Sequence, residues 1–419
     1  MVRTLYNLAW RAAVPAGRWA SRTRPKVDAV LHRLDPALPH AQAPGALWVH
    51  ACSVGEVNTV RPFLPQLSRA TGGPWLLSAS TPTGLERARG LYPDQAFACP
   101  LDHPTAVRRL LDRMQPTALI LTETELWPNL VLETAARSIP VLIINGRLSE
   151  RHFARFHRYR WLARPMFQAL SGVGAQDELH AERYLALGVR PGRVEVTGNL
   201  KFDAAPTEVE TMGRDRLRAK LGIPRDAPVL IFGSTRPGDE ALASACWMTL
   251  REELPDLRLI IAPRHLERAD EVIKHFSEPV ARRSAIISGN APAGARVILL
   301  DTLGELVPFY ALSTLAVIGG SLYPGVAGHN PLEPAGLGVP VVFGPYMQNF
   351  EQPARVLESG GAATRVACPE DLYAALSDAL RNPGELRRRG TLARRIVLDH
   401  QGVAARTADW VSNRLNNRA

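Results

Sequence analysis

Short apolar runs alternate with longer stretches of helical periodicity along the whole chain. In the first half the runs are Leu47–Val54, Trp75–Ser80, Ala118–Glu123, Val141–Gly146, Ser171–Gln176 and Val194–Asn199. In the second half they are Pro228–Thr235, Leu257–Arg264, Arg296–Asp301, Leu315–Leu322 and Val339–Pro345, with a short one at Ala363–Val366. Most are apolar throughout and do not alternate with polar residues. That predicts strands buried on both faces. Strands of this kind separated by helical stretches predict an α/β chain with parallel, doubly wound sheets. The rhythm repeats on either side of Asp203–Glu210, a polar, proline-containing stretch that reads as a linker. The expected organisation is an N-terminal domain over residues 28–202, the linker at 203–210 and a second domain over 211–390.

Length agrees with two domains. The chain has 419 residues, and single cores stop growing near ~250–300. An apolar fraction of 46% with 21% charged residues excludes a disordered, collagen-like or polytopic membrane chain. Cys52, Cys99, Cys246 and Cys368 are scattered, which excludes a disulfide framework or a zinc ribbon and suits a reducing compartment. The net charge is +10. No helix-turn-helix, RNP or zinc-finger pattern accompanies it, so nucleic acid is not an expected partner. Part of the excess lies in residues 1–27, which hold Arg3, Arg11, Arg18, Arg22, Arg24 and Lys26 and no acid. Arg3, Arg11 and Arg18 share one helical stripe, opposite Leu5, Tyr6, Leu8, Ala9 and Ala12. The run is too short to span a bilayer and lacks a signal-peptide pattern. It reads as a basic amphipathic segment for an anionic membrane surface, with Trp10 and Trp19 at headgroup level. An ordinary surface helix is the alternative.

In open α/β sheets ligands bind beyond the carboxyl ends of the strands, and polar clusters stand at nearly every such end. Ser53, Gly55 and Glu56 follow the first strand, where Gly55 permits a tight turn and Glu56 opens a helix. Glu56 either complements the helix dipole or, if burial opposes the dipole, accepts a proton. Thr81, Thr83 and Gly84 form a hydroxyl-rich turn suited to an anion or to helix capping. Glu123 and Glu125 follow a buried strand, with Arg147 or Arg87 as a partner. No histidine stands at ligand spacing, so no metal is expected there. In the second half Ser234 and Thr235, with their backbone N–H groups, can cradle a phosphate that Arg264, after Pro263, would neutralise. His265 needs no catalytic role. Asp301–Glu305 offers carboxylates for ribose hydroxyls. Asn330 can read a base or hold a loop. This describes a nucleotide site with neither a Walker loop nor G-x-G-x-x-G.

Taken in order, these stretches resemble the bacterial Kdo transferases, which add 3-deoxy-D-manno-octulosonic acid to a lipid A precursor. The resemblance runs through L-W-V-H-A-C-S-V-G-E-V (47–57), S-T-P-T-G (80–84), T-E-T-E-L-W-P-N-L (122–130) and I-N-G-R-L-S (144–149). It continues through V-T-G-N-L-K-F-D (196–203), A-P-R-H (262–265), D-T-L-G-E-L (301–306), G-G-S-L (319–322) and G-H-N-P-L-E-P (328–334). It implies a GT-B fold, two Rossmann-like domains facing across a cleft, with a last helix (391–419) crossing back to the first domain. It implies CMP-Kdo as donor, a lipid A precursor as acceptor, no cofactor, and work at the cytoplasmic face of the inner membrane. It assigns the general base to Glu56. Donor contacts fall on Pro263, Arg264, Leu303, Gly304, Glu305, Asn330, Pro331, Leu332 and Glu333. Cys52 and Leu303 depart from the family's usual residues, and Arg236 stands where a histidine is usual.

The leading expectation is therefore an inverting, metal-independent glycosyltransferase. The rivals are a GT-B transferase using a diphosphate sugar, a dinucleotide oxidoreductase, and a non-enzymatic protein binding the membrane surface.

Overall fold

The structure is a computed structural model that describes residues 6–10, 13–15, 30–39, 45–291 and 295–416. The chain divides into two compact units, Met1–Ala204 with Gln401–Ala419, and Ala205–His400.

The first unit is built on β1 (Leu47–His50), β2 (Trp75–Ala79), β3 (Ala96–Ala98), β4 (Ala118–Thr122), β5 (Val141–Gly146), β6 (Gly172–Ala175) and β7 (Val194–Val196). Their order is β3-β2-β1-β4-β5-β6-β7, all parallel. Every residue of β1, β4, β5 and β6 is buried. Side-chain alternation splits them between two cores. Trp48, Leu119 and Ile143 enter one face, while Leu47, Val49, Ile120 and Leu142 enter the other. This is why the runs read as continuously apolar.

The second unit holds β8 (Val229–Thr235), β9 (Arg258–Pro263), β10 (Val280–Arg282), β11 (Val297–Leu299), β12 (Leu315–Ile318), β13 (Val341–Phe343) and β14 (Ala363–Arg365). The order is β10-β11-β9-β8-β12-β13-β14, again all parallel. The three-residue strands β3 and β10 are not foreshadowed by the apolar pattern. Each lies at a sheet edge and pairs on one side only, so neither carries a long apolar run.

Each chain crossover sets up a reversal in strand order, between β1 and β4 in one sheet and between β8 and β12 in the other. The crevice at such a switch point is where ligands of open α/β sheets bind.

The C-terminal boundary differs from the expectation. Residues 391–419 are not one crossing helix. The helix Pro383–Asp399 belongs to the second unit, and a new helix, Val403–Asn416, belongs to the first. There it packs on helix Phe63–Thr71, and Ser412 Oγ donates to Ala70 O at 2.8 Å. Asp203, expected in the linker, accepts from the backbone N–H groups of Gly402 and Ala404 and so holds the start of that helix.

Most of the basic N-terminal segment, including all six of its basic residues and Trp19, lies outside the described residues. Residues 6–10 are helical. Asn129 Nδ2 donates to Asn7 Oδ1 at 2.9 Å, and the half-buried Trp10 meets His103 edge-on. Trp10 thus rests partly on the protein itself.

Candidate active site

In the first unit the chain leaves β1 at His50 and turns at Cys52–Ser53 into helix Val54–Val60. Glu56 sits in the first turn of that helix. Its carboxylate folds back, accepting from Cys52 N–H at 2.8 Å and from Ser53 Oγ at 3.2 Å. Ser53 is the N-cap, and the Glu56 carboxylate satisfies the N–H of the residue before it. These bonds favour the ionised carboxylate, but burial opposes them more strongly, and the charges of Glu123 and Glu125 add to that opposition. Together they push the Glu56 carboxyl up to about 8.

The neighbouring loop explains the two acids. Asp102 accepts from the N–H groups of Asn129 and Leu130 at 3.0 and 2.7 Å, capping helix Pro128–Ala136. Asn129 Nδ2 also bonds Asp102 O at 2.6 Å. The loop 123–127 is pinned from this side, and Thr124 Oγ1 pins it from the other by donating to Arg147 O. Glu123 takes a left-handed backbone at φ 57°. Its part-buried carboxylate faces Lys201 Nζ at 3.1 Å and Arg147 Nη1 at 3.7 Å. Those two cations hold it below its ordinary range against the opposing effect of burial. Arg147 is the expected partner. Arg87 instead donates to Asn58 Oδ1 at 2.9 Å.

Glu125 accepts from Trp127 Nε1 at 3.0 Å and lies 3.9 Å from Nε2 of the fully buried His50. Burial raises Glu125 above the usual carboxylate range. Burial also lowers His50 to about 4, so this imidazole is neutral. Glu123 is therefore a neutralised wall, whereas Glu56 and Glu125 compete for protons.

The Cys52 thiol and one oxygen each of Glu56 and Glu125 lie within 4.8 Å of one another. Nothing in the spacing of these residues along the chain announces this grouping. Burial, followed by Glu125 and Glu56, pushes the Cys52 thiol up to about 12. By themselves all three groups are displaced toward their protonated forms, and a cation bound among them would have to displace those protons.

The remaining first-unit candidates are positional. Thr81 caps helix Pro82–Leu91 by accepting from Gly84 N–H at 3.1 Å, and its hydroxyl donates to Cys52 O at 3.2 Å. A Cβ on Gly84 would stand 2.9 Å from Cys52 O, so glycine there lets the helix close on the Cys52 turn. Thr83 is exposed one residue into that helix. Gly55 departs from its expected role. It is exposed inside a helical turn, and a Cβ would meet only Ser53 Oγ at 3.8 Å, so the turn does not demand glycine.

In the second unit the switch point is basic. Ser234, one residue before the end of β8, has φ 58°, and a Cβ on Gly319 would come within 2.4 Å of Ser234 O. Glycine at 319 is what lets the end of β12 pass over this peptide. Asp239 Oδ2 accepts from the N–H groups of Arg236 and Gly320 at 2.9 and 2.7 Å, tying the two strand ends together. Arg264 follows β9, is exposed, and donates its backbone N–H to Thr235 O at 3.1 Å. Arg236 donates to His329 Nε2 at 3.3 Å and lies 2.6 Å from His265 Nε2. Burial, then Arg236, Arg264 and His265, lower His329 to about 4. Two guanidiniums thus meet two imidazoles here with a surplus of positive charge. Glu333 stands near Arg264, raised by burial despite that cation and despite Asn330 Nδ2, which donates to it at 3.3 Å.

Some expected donor contacts are occupied by the protein. Thr235 is fully buried and its hydroxyl donates to Glu240 Oε1 at 2.8 Å, where Glu240 also pairs with Arg268. Thr235 is thus a support, not a free phosphate donor. Ser234 is half-buried at the same strand end. Leu332 is fully buried and gives its N–H to Asn330 Oδ1, while Pro331 is buried. Both hold the loop. Glu305 takes a two-pronged bond from Arg283, and Asp301 accepts from Ser284 N and Oγ. Leu303 is 84% exposed beside Gly304 at φ 80°, an apolar surface presented by a turn. Pro263 ends β9 and is buried.

His329, Lys201, His50 and Trp127 belong to the two clusters without standing out in the sequence as site residues, and Arg236 stands out there only as a departure. A usable signal exists for all four, since each falls inside one of the marked motifs.

Residues 20–204 match the family described as 3-Deoxy-D-manno-octulosonic-acid transferase (kdotransferase). A 3-deoxy-D-manno-octulosonic acid transferase of Haemophilus influenzae is 33% identical over 375 residues, covering 87% of this chain and 86% of that protein. One from Bordetella pertussis is 32% identical over 437 aligned residues, covering 98% of each. Among solved structures, a glycosyltransferase from Rickettsia africae aligns with a TM-score of 0.62 at 10% identity, over 90% of this chain and all of that one. A UDP-GlcNAc 2-epimerase from Neisseria meningitidis aligns at 0.59 and 15% identity, over 89% of this chain and all of that one. These likenesses concern the fold, which is GT-B.

Proposed function

The chain belongs to the 3-deoxy-D-manno-octulosonic acid transferase family, and we propose that it moves Kdo from CMP-Kdo to a lipid A precursor, lipid IVA, with inversion at the anomeric carbon. The enzyme is a glycosyltransferase of the Kdo type. The donor, the acceptor and the stereochemistry are our reading.

One observation carries it: at the switch point of the first sheet a part-buried carboxyl, held by Cys52 N–H and Ser53 Oγ and set beside Glu125, is raised to about 8. A group with its pKa near the working pH is suited to general-base catalysis. In the proposed step Glu56 takes the proton of an acceptor hydroxyl. The hydroxyl oxygen attacks the anomeric carbon of Kdo, and the bond to the phosphate oxygen of CMP breaks, its electron pair leaving with CMP. Glu123, neutralised by Lys201 and Arg147, supports the wall. Trp127, 43% exposed beside Glu125, offers an indole face to a sugar ring.

On the donor side the phosphate is assigned to Arg264, Arg236 and the Ser234 hydroxyl, with Leu303 packing on the base. A monophosphate leaving group is met by two guanidiniums, so the reading assigns no metal. The helices among the described residues include none long and apolar enough to cross a membrane. We assign the protein to the cytoplasmic face of the inner membrane as a peripheral enzyme.

The test is incubation of purified protein with CMP-Kdo and lipid IVA in excess EDTA, followed by mass spectrometry of the lipid. A lipid heavier by Kdo is expected. No product with CMP-Kdo, but product with a diphosphate sugar, would overturn the donor assignment. Activity lost in EDTA and restored by magnesium would overturn the metal-free step.

A further inference from the structure

Residues 150–164 read E-R-H-F-A-R-F-H-R-Y-R-W-L-A-R and fold as two helices, Glu150–Arg158 and Arg160–Ala169, hinged at Tyr159. Their inner faces are ordinary. Phe153 and Phe156 lean on the first unit's core, and Ala163, Met166 and Phe167 are buried in it. The outer face is not. Trp161 is 62% exposed, Tyr159 47% and Leu162 37%, and they stand within four consecutive residues. Interleaved with them, Arg151, Arg155, Arg158, Arg160 and Arg164 are all exposed. None of the five pairs with a carboxylate among the described residues. The segment's own acid, Glu150, is taken by Arg183. The positive field is felt locally: partial burial, then Arg155, Arg147 and Arg151, hold His152 below the usual imidazole range.

Such a face is poorly matched to water alone. An indole, a phenol and a leucine side chain remain exposed, while five guanidiniums repel one another with no carboxylate among them. Among the described residues only Arg155 over Phe156 (5.6 Å) and Arg158 over Tyr159 (5.7 Å) find a ring to lie on. Both features are resolved at a bilayer surface. Trp and Tyr favour the headgroup level, where ring and polar tip are each satisfied, and arginines gain from anionic lipids. A soluble anion would neutralise the arginines but leave the aromatic side chains exposed.

We propose that the outer face of helices Glu150–Arg158 and Arg160–Ala169 docks the first unit on an anionic lipid surface. The first helix begins three residues after Arg147, the cation facing Glu123 beyond β5. Docking therefore brings the carboxyl ends of β4 and β5 toward the lipid, which is where an acyl-chained acceptor has to deliver its sugar. That purpose rests on the transferase reading. The docking itself does not, and is measured without acceptor.

The test uses the full chain with vesicles containing phosphatidylglycerol and with vesicles of phosphatidylcholine alone. Binding to the anionic vesicles, weakened by salt, is expected, with amide exchange slowed over residues 150–162. Each basic side chain near such a surface favours partition about fivefold, so R155E/R158E should bind about 25-fold more weakly or worse. R155K/R158K should bind as the native chain does, and W161A should lose the part of the binding that survives salt. All these variants should keep turnover on a short-chain soluble acceptor. A folded R155E/R158E that binds as tightly as the native chain overturns the proposal. So does unchanged exchange over 150–162 in the vesicle-bound native chain, a readout that needs no variant. Equal binding to neutral vesicles, or protection of this segment by RNA and not by vesicles, overturns it as well. If the native chain binds vesicles through 150–162 but never transfers Kdo, the transferase reading fails and the docking surface stands.

Discussion

The switch points of the two sheets occupy the same place in the same topology and carry opposite chemistry. Beyond β1 and β4, Glu56 and Glu125 are part-buried carboxyls displaced toward protonation. Beyond β8, β9 and β12, Arg236 and Arg264 crowd two imidazoles. A parallel sheet supplies the location, since its strand ends leave loops free of the core. The loops alone decide whether the location holds a proton or an anion.

The largest effect should come from removing the acid side. Glu56→Gln keeps the size of the side chain and can still accept from Cys52 N–H, so the fold should persist. Turnover should fall by about 10²–10⁴-fold, the usual worth of a general base. Near-native turnover in a folded variant would take Glu56 out of the mechanism and leave it as a helix cap.

Acidity sharpens the same contrast. If ionised Glu56 is the base, kcat/KM rises with pH up to about 8 and then levels. Between about pH 8 and about pH 6 it should drop roughly fiftyfold, because the ionised fraction falls about tenfold per pH unit. Glu125→Gln removes a neighbouring charge, so the acid limb should move to lower pH. The raised pKa also bears on stability. Ionising Glu56 in the folded chain is unfavourable, so stability present below the unfolded value is lost as pH rises toward about 8. Glu56→Gln should therefore melt higher than the native chain at about pH 9 and no higher at about pH 4. A flat pH profile, with equal melting at both pH values, would contradict the buried-acid description.

A smaller effect separates ligand contacts from supports on the basic side. Arg264→Ala should weaken CMP binding by about tenfold or more in calorimetry, since a charge-assisted phosphate contact is lost. Thr235→Val should instead lower stability by ~1–3 kcal/mol, because Glu240 loses a buried donor. Its CMP affinity should change little. The reverse result would return Thr235 to the phosphate site.

Much of this is legible in the amino-acid sequence. The continuous apolar runs mark the central strands, and the polar residues just after them mark the switch points. The short edge strands β3 and β10 leave no such trace. Glu123 and Glu125 read as a pair in sequence but divide in space, one neutralised by Lys201 and Arg147, the other beside His50 and Cys52. Thr235 and Leu332 look like ligand contacts because they stand in marked motifs, yet burial commits both to the protein. Arg236 looks like an anomaly and lies at the centre of the basic cluster.

The order of residues along the chain by itself determined the doubly wound architecture, the two-unit organisation and the strand ends where chemistry would gather. Those depend on local periodicity, because which face a side chain enters follows from its position in a strand or helix. Proton affinity, pairing and exposure were decided by the tertiary structure alone. They depend on desolvation and on charges brought together from distant positions, such as Lys201 with Glu123 or His329 with Arg236, and no local pattern records which distant side chain will close the circuit.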